Sequence, residues 1–234
     1  MHPTFVDQNF IFCSPYMTMW LTVLIFYCSV SVIYSQLLPG FKVSGSFDEQ
    51  QMVIENLTPD ARIVINAPTK GFGNRDKVLL ILYGLPNGST FEDIFGRRQK
   101  DTGAKSTEIQ HIGAQTRFLR RILTHQTVVV AYLESKQKSW PLWKAQTHDY
   151  LVQTKNMVEN MSQIFQAWKP EIILNGHSGG GRVIFSYLEA QGQIPNNVKR
   201  IAFLDSNYGY EDTIHGPKLV KWLKSSKHHF LSTM

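Results

Sequence analysis

Between Ile172 and Tyr187 a short apolar strand pattern runs into Gly176-His177-Ser178-Gly179-Gly180 and then directly into an amphipathic helical pattern. That order of residue types suits a nucleophilic serine. Such a serine needs a tight strand-to-helix turn that lifts its hydroxyl above the sheet, and side chains on the flanking residues would collide with neighbouring strands. Gly176, Gly179 and Gly180 supply the clearance. The turn also sets Ser178 at a helix N-terminus, where the Gly179 N–H and the helix dipole can stabilise negative charge developing on a substrate oxygen. A G-x-S-x-G match alone is weak, and its placement between strand and helix gives it weight. The competing reading is a glycine-rich helix start that binds phosphate or merely packs closely. No Lys-Ser/Thr follows the glycines and the spacing from Gly176 does not reproduce G-x-G-x-x-G, which argues against Walker and dinucleotide loops.

The elements that must hold this turn alternate along the chain. Met52–Leu57 and Ala61–Ala67 are β-type runs separated by Thr58-Pro59-Asp60, and they read as a hairpin. Lys77–Tyr83 is a near-continuous apolar run of the kind buried on both faces of a parallel sheet, followed by the loop Gly84–Gly88. Ile112–Leu123 is helical by pattern and Thr127–Tyr132 is a β-branched strand. Ala145–Trp168 carries Leu151, Val158, Met161, Phe165 and Trp168 at helical spacing, which predicts one core-facing helix. Strands are expected at Glu171–Asn175 and Val198–Leu204, and helices at Gly180–Gln191 and Thr213–Ser225. The last helix is expected to turn Leu219, Val220 and Leu223 inward and Lys218, Lys221 and Lys224 to solvent. The fold class is therefore α/β, a mostly parallel central sheet with helices on both faces joined by right-handed crossovers.

The segment GHSGG resembles the nucleophile elbow of the α/β-hydrolase superfamily, with its lipases, esterases and peptidases, and the resemblance runs from about Met52 to the C-terminus. It implies Ser178 as nucleophile, Gly179 and a second N–H from the loop after the third strand as oxyanion donors, and an acid and a histidine later in the chain. That loop corresponds to Gly84–Gly88, where Pro86 has no N–H. Leu85 is the candidate donor and Asn87 the alternative. His177 sits at the variable position of the elbow, and is expected to pack or hydrogen-bond with its side chain away from Ser178. Asp205, at the carboxyl end of its strand, is the candidate acid against a role in capping the loop Asn207–Gly209, with Glu211 and Asp212 as weaker substitutes that suit the start of the next helix. His215 is the histidine in the order the resemblance implies. His228 and His229 precede a possible last strand and are expected at the surface. The end of the fold is expected beyond Met234, the alternatives being a gene fragment or a serine without its base.

Composition bounds the rest. The chain has 234 residues, 43% hydrophobic and 18% charged, which excludes disorder, collagen and coiled coil. Its formal charge of +6 comes without a basic run interleaved with aromatics, so no nucleic-acid partner is expected. No residue between Asp7 and Lys42 is charged, and Trp20 to Tyr34 is almost continuously apolar. Residues 1–35 read as a secretory signal with cleavage near Ser35, no Lys or Arg preceding the apolar core and Met17 or Met19 being possible starts. The competing reading is a retained membrane anchor. Both cysteines, Cys13 and Cys28, fall in that leader, so the chain from Gln36 has no thiol chemistry available. The sequons at Asn56, Asn87 and Asn160 carry little weight.

His111, Gln115, Arg117 and Arg120 begin a helix, and read as a solvent-facing helix start or as substrate contacts. No H-x-x-H or H-E-x-x-H spacing points to a metal, and no cofactor is implied. The sequence thus predicts a single domain over 36–234 that is exported or anchored. Its function is hydrolysis of an ester or amide in a small-molecule or peptide substrate, through an acyl-enzyme on Ser178. No long insertion follows the Asp205 strand, so no large lid is expected there. The alternative is a catalytically incomplete α/β-hydrolase-like binding domain.

Overall fold

The computed structural model describes residues 37–45, 47–73, 77–96, 111–206 and 209–234. These residues belong to the compact unit Ser35–Met234. The expected leader and its cleavage point near Ser35 lie outside the described residues, as does part of the loop Asn207–Gly209.

Eight strands form one sheet: β1 (Lys42–Ser44), β2 (Glu49–Glu55), β3 (Ala61–Pro68), β4 (Val78–Gly84), β5 (Thr127–Ser135), β6 (Glu171–His177), β7 (Val198–Leu204) and β8 (Phe230–Thr233). Their order across the sheet is β1-β2-β3-β5-β4-β6-β7-β8. The first three strands pair antiparallel, as does β3 with β5, and everything from β5 to β8 is parallel. The hairpin expected at Met52–Leu57 and Ala61–Ala67 is the β2–β3 pair.

β4 shows why a continuous apolar run reads as a central strand. All its residues are buried, yet they alternate between two cores: Val78, Leu80 and Leu82 on one face, Leu79, Ile81 and Tyr83 on the other. The helices divide accordingly. On the second face lie α1 (Phe91–Phe95) and α2 (Ile112–Ile122), which contribute Phe91, Ile94 and Ile112. On the first lie α3 (Trp140–Gln146), α4 (Tyr150–Ile164), α5 (Gly181–Ala190) and α6 (Asp212–Ser225), which contribute Trp140, Met157, Phe185 and Leu219 among others. Burying each such side chain is worth about 1.5–3 kcal/mol.

Two helical expectations are corrected. The single helix over Ala145–Trp168 is two helices and a short 3-10 turn, because Thr147 leaves the helical conformation and closes α3. Met161 and Phe165 are nonetheless core residues, as the stripe predicts. On α6, Val220 is half exposed and Trp222 points inward instead, its indole N–H donating to Val198 O at 3.0 Å. Lys218 is not merely solvated: its ammonium donates to Leu188 O and Glu189 O, the orphan carbonyls at the end of α5.

Candidate active site

The elbow is built by backbone crowding. Ser178 has φ 50°, a left-handed conformation that costs a non-glycine residue about 1–2 kcal/mol, and it leads through one 3-10 turn into α5. Its surroundings leave no room for side chains at the glycines. A Cβ on Gly176 would lie 2.8 Å from the Gly181 Cα, and one on Gly84 would lie 2.5 Å from the Gly180 carbonyl. A Cβ on Gly180 would run into the Gly84 carbonyl in return. The end of β4 and the start of α5 are thus in direct main-chain contact, which brings the loop after β4 to the elbow.

Sequence reasoning missed a residue that holds this turn. The hydroxyl of Ser206, only 2% exposed, donates to the Ser178 carbonyl at 2.6 Å. A Cβ on Gly181 would meet that same hydroxyl, so this glycine makes room for it. The sequence signal was faint: a small hydroxyl residue directly after the candidate acid.

The two candidate oxyanion donors are placed differently. Gly179 sits buried at the helix start as expected, one residue after Ser178. Leu85 is a correction: its N–H is donated to Leu133 O at 3.0 Å, extending the pairing of β4 with β5 one residue past the strand. The donor the resemblance requires cannot be that N–H in this arrangement. The side chain of Asn87, the alternative residue, lies over the Gly179 Cα.

Asp205 comes directly after β7 as Ser178 comes directly after β6, and the two strands place His177 opposite Leu204. Asp205 is exposed, has φ 44°, and its N–H donates to Met234 O at 2.7 Å. Its charge acts on His177. Burial pushes the half-buried His177 imidazole below the ordinary histidine range, and the Asp205 carboxylate pulls in the opposite direction.

His215 is not placed as a general base. It is 2% exposed, its Nδ1 accepts the Glu211 N–H at 2.9 Å, and its Nε2 lies 3.2 Å from Phe185 O, so both ring nitrogens are held by backbone. Its ring packs on Phe185 and Tyr210. Among the described residues no hydrogen bond or ion pair joins Asp205 to His215. Glu211 occupies the N-cap position of α6 without a side-chain cap bond, and Asp212 accepts from the Tyr210 hydroxyl at 2.6 Å.

His228 is exposed as expected, but His229 is buried, stacks on Trp222 at 4.5 Å and bonds Trp222 O through Nδ1. Arg117 and Arg120 both reach across to the buried Glu49 at 2.9 Å, tying α2 to β2. His111 and Gln115 are exposed. Among the described residues no group of three His, Cys, Asp or Glu side chains is placed to hold a metal ion, and no helix is long and apolar enough to cross a membrane.

No protein-family model and no curated protein matches the chain. Among solved structures it is similar to a cold-adapted esterase from an Arctic intertidal metagenomic library, with 10% identity and a TM-score of 0.44, over 76% of this chain and 69% of that one. It is also similar to the feruloyl esterase module from Clostridium thermocellum, with 11% identity and a TM-score of 0.45, over 86% and 73%. A third likeness is to brefeldin A esterase, a bacterial homologue of human hormone sensitive lipase, with 15% identity and a TM-score of 0.38, over 80% of this chain and 47% of that one. These likenesses are too distant to speak for chemistry. The strand order, the parallel core and the left-handed serine between strand and glycine-opened helix make this chain α/β-hydrolase-like in fold.

Proposed function

We propose that the chain is a serine hydrolase that transfers an acyl group from an ester or amide to Ser178 and then to water. The observation that supports this most is the backbone of Ser178 itself, held at φ 50° between β6 and α5 with Ser206 bonded to its carbonyl. Strain of this kind is kept where the surrounding structure enforces it, and it presents the side chain at the carboxyl edge of the sheet. In acylation the Oγ adds to the substrate carbonyl, the Gly179 N–H takes part of the oxyanion charge, and collapse expels the alcohol or amine. Water then adds to the acyl-enzyme and releases the acid. The reading requires a general base for the Oγ proton, and none is assigned among the described residues. The protein is exported with cleavage near Ser35, or held by the same apolar segment at a membrane; the intact mass of protein from its native source distinguishes the two.

Hydrolysis of p-nitrophenyl acetate, an activated ester, by wild-type protein and Ser178→Ala tests the activity. Turnover that is lost in the variant with unchanged folding supports it. Equal background turnover by both favours the second reading, a binding domain, which has its own observation in its favour: the backbone bonds that engage both nitrogens of His215.

A further inference from the structure

In the loop after β4 almost every main-chain donor is spent. Leu85 N–H goes to Leu133 O at 3.0 Å, Pro86 has none, Gly88 N–H goes to Lys138 O at 2.8 Å and Ser89 N–H to Pro86 O at 3.4 Å. Thr90 N–H is bonded to the Asp93 carboxylate at 2.9 Å, inside the capping box of α1. Asn87 is the exception: it is exposed, and neither its N–H nor its carboxamide is bonded to a described residue.

Its position is specific. A Cβ built on Gly179 would lie 2.7 Å from Asn87 Nδ2 and nearer still to Oδ1, and the three atoms it would meet first all belong to that carboxamide. The absence of a side chain at Gly179 is thus what lets Asn87 rest on the residue whose N–H stabilises the oxyanion. A carboxamide carries two N–H donors on one end and can be turned to present them.

We propose that the side-chain amide of Asn87 is the second oxyanion donor, acting beside the Gly179 N–H and replacing the main-chain donor that Leu85 cannot supply. This rests on Ser178 being the nucleophile. The negative oxygen formed as Oγ adds to a carbonyl, or to the phosphorus of a phosphonate, accepts both hydrogen bonds.

The experiment is the rate at which a fluorophosphonate labels Ser178, read by intact mass, in wild-type protein, Asn87→Gly, Asn87→Asp and Ser178→Ala, with melting temperature as a folding control. Asn87→Gly keeps the main-chain N–H and removes the whole side chain, carboxamide included; Asn87→Asp keeps the shape and replaces donors with a charge that repels the oxyanion. Loss of one oxyanion donor slows reaction about 10²- to 10³-fold. Both variants are expected to label at least about 100-fold more slowly than wild type with unchanged melting, and Gly179→Ala, which displaces the carboxamide, is expected to add little to Asn87→Gly. Labelling of Asn87→Gly within about threefold of wild type overturns the role of the side chain while leaving Ser178 as nucleophile. Failure of the wild type to label overturns both.

Discussion

Ser178 and Asp205 stand at equivalent places. Each is the first residue past the carboxyl end of a parallel strand, the strands are neighbours, and both residues take a left-handed backbone, at φ 50° and 44°. The segments leading away from them differ. After Ser178 three glycines admit main chain from β4 and a side-chain hydroxyl from after β7, and a helix begins at once. After Asp205 the chain runs to α6 only at Asp212, and its own N–H is tied to Met234 O beyond β8. The two strand ends thus share an unusual φ and differ in what crowds around it. At the β6 end main chain from β4 and the buried Ser206 hydroxyl close in on the turn. At the β7 end the same device leaves an exposed carboxylate whose described influence falls on His177.

The clamp at the β6 end is most vulnerable at Gly180. Gly180→Ala drives a methyl into the Gly84 main chain, which cannot move without shifting β4. The expected cost is about 1–3 kcal/mol, a melting temperature lower by roughly 2–10 °C, together with loss of Ser178 labelling. A melting curve unchanged from wild type contradicts the crowding. His215→Ala is expected to cost about 2 kcal/mol through two lost backbone hydrogen bonds and a vacated ring site, while Ser178 still labels. Loss of labelling in a folded His215→Ala would return that histidine to the reaction. Ser206→Ala removes one buried bond to the Ser178 carbonyl, about 1 kcal/mol, and labelling slows severalfold; a conservative Ser206→Thr that restores the rate separates the hydroxyl from simple space filling.

The smallest effect concerns pH. Because burial holds His177 below its ordinary range, the unfolded chain takes up a proton that the folded chain resists, so stability falls as pH falls below about 7. His177→Gln flattens that slope. Asp205→Asn steepens it, since the opposing attraction is gone, and an unchanged slope would show that Asp205 does not face His177.

The same contrast explains what could be read from the sequence. The elbow was legible because its requirements are local: Gly176, Gly179 and Gly180 sit next to the serine they serve. β4 was legible because burial on both faces leaves an unbroken apolar run. The Leu85 N–H was not, because whether a strand pairs one residue further depends on register with β5, which no single run of residues encodes. Nor was the role of His215, whose bonds to Glu211 and Phe185 depend on where α6 docks on α5. Trp222 took the inward position expected of Val220 for the same reason. His229 is inside because Trp222 offers a stacking face. Ser206 went unseen since its partner, the Ser178 carbonyl, is 28 positions away in the chain.

Whether the clamped turn makes Ser178 a nucleophile is read from intact mass after exposure to a fluorophosphonate. One adduct is expected on wild-type protein, mapped to the peptide containing Ser178 and absent from Ser178→Ala. A folded wild-type chain that gains no mass, or an adduct that persists in Ser178→Ala, would contradict it.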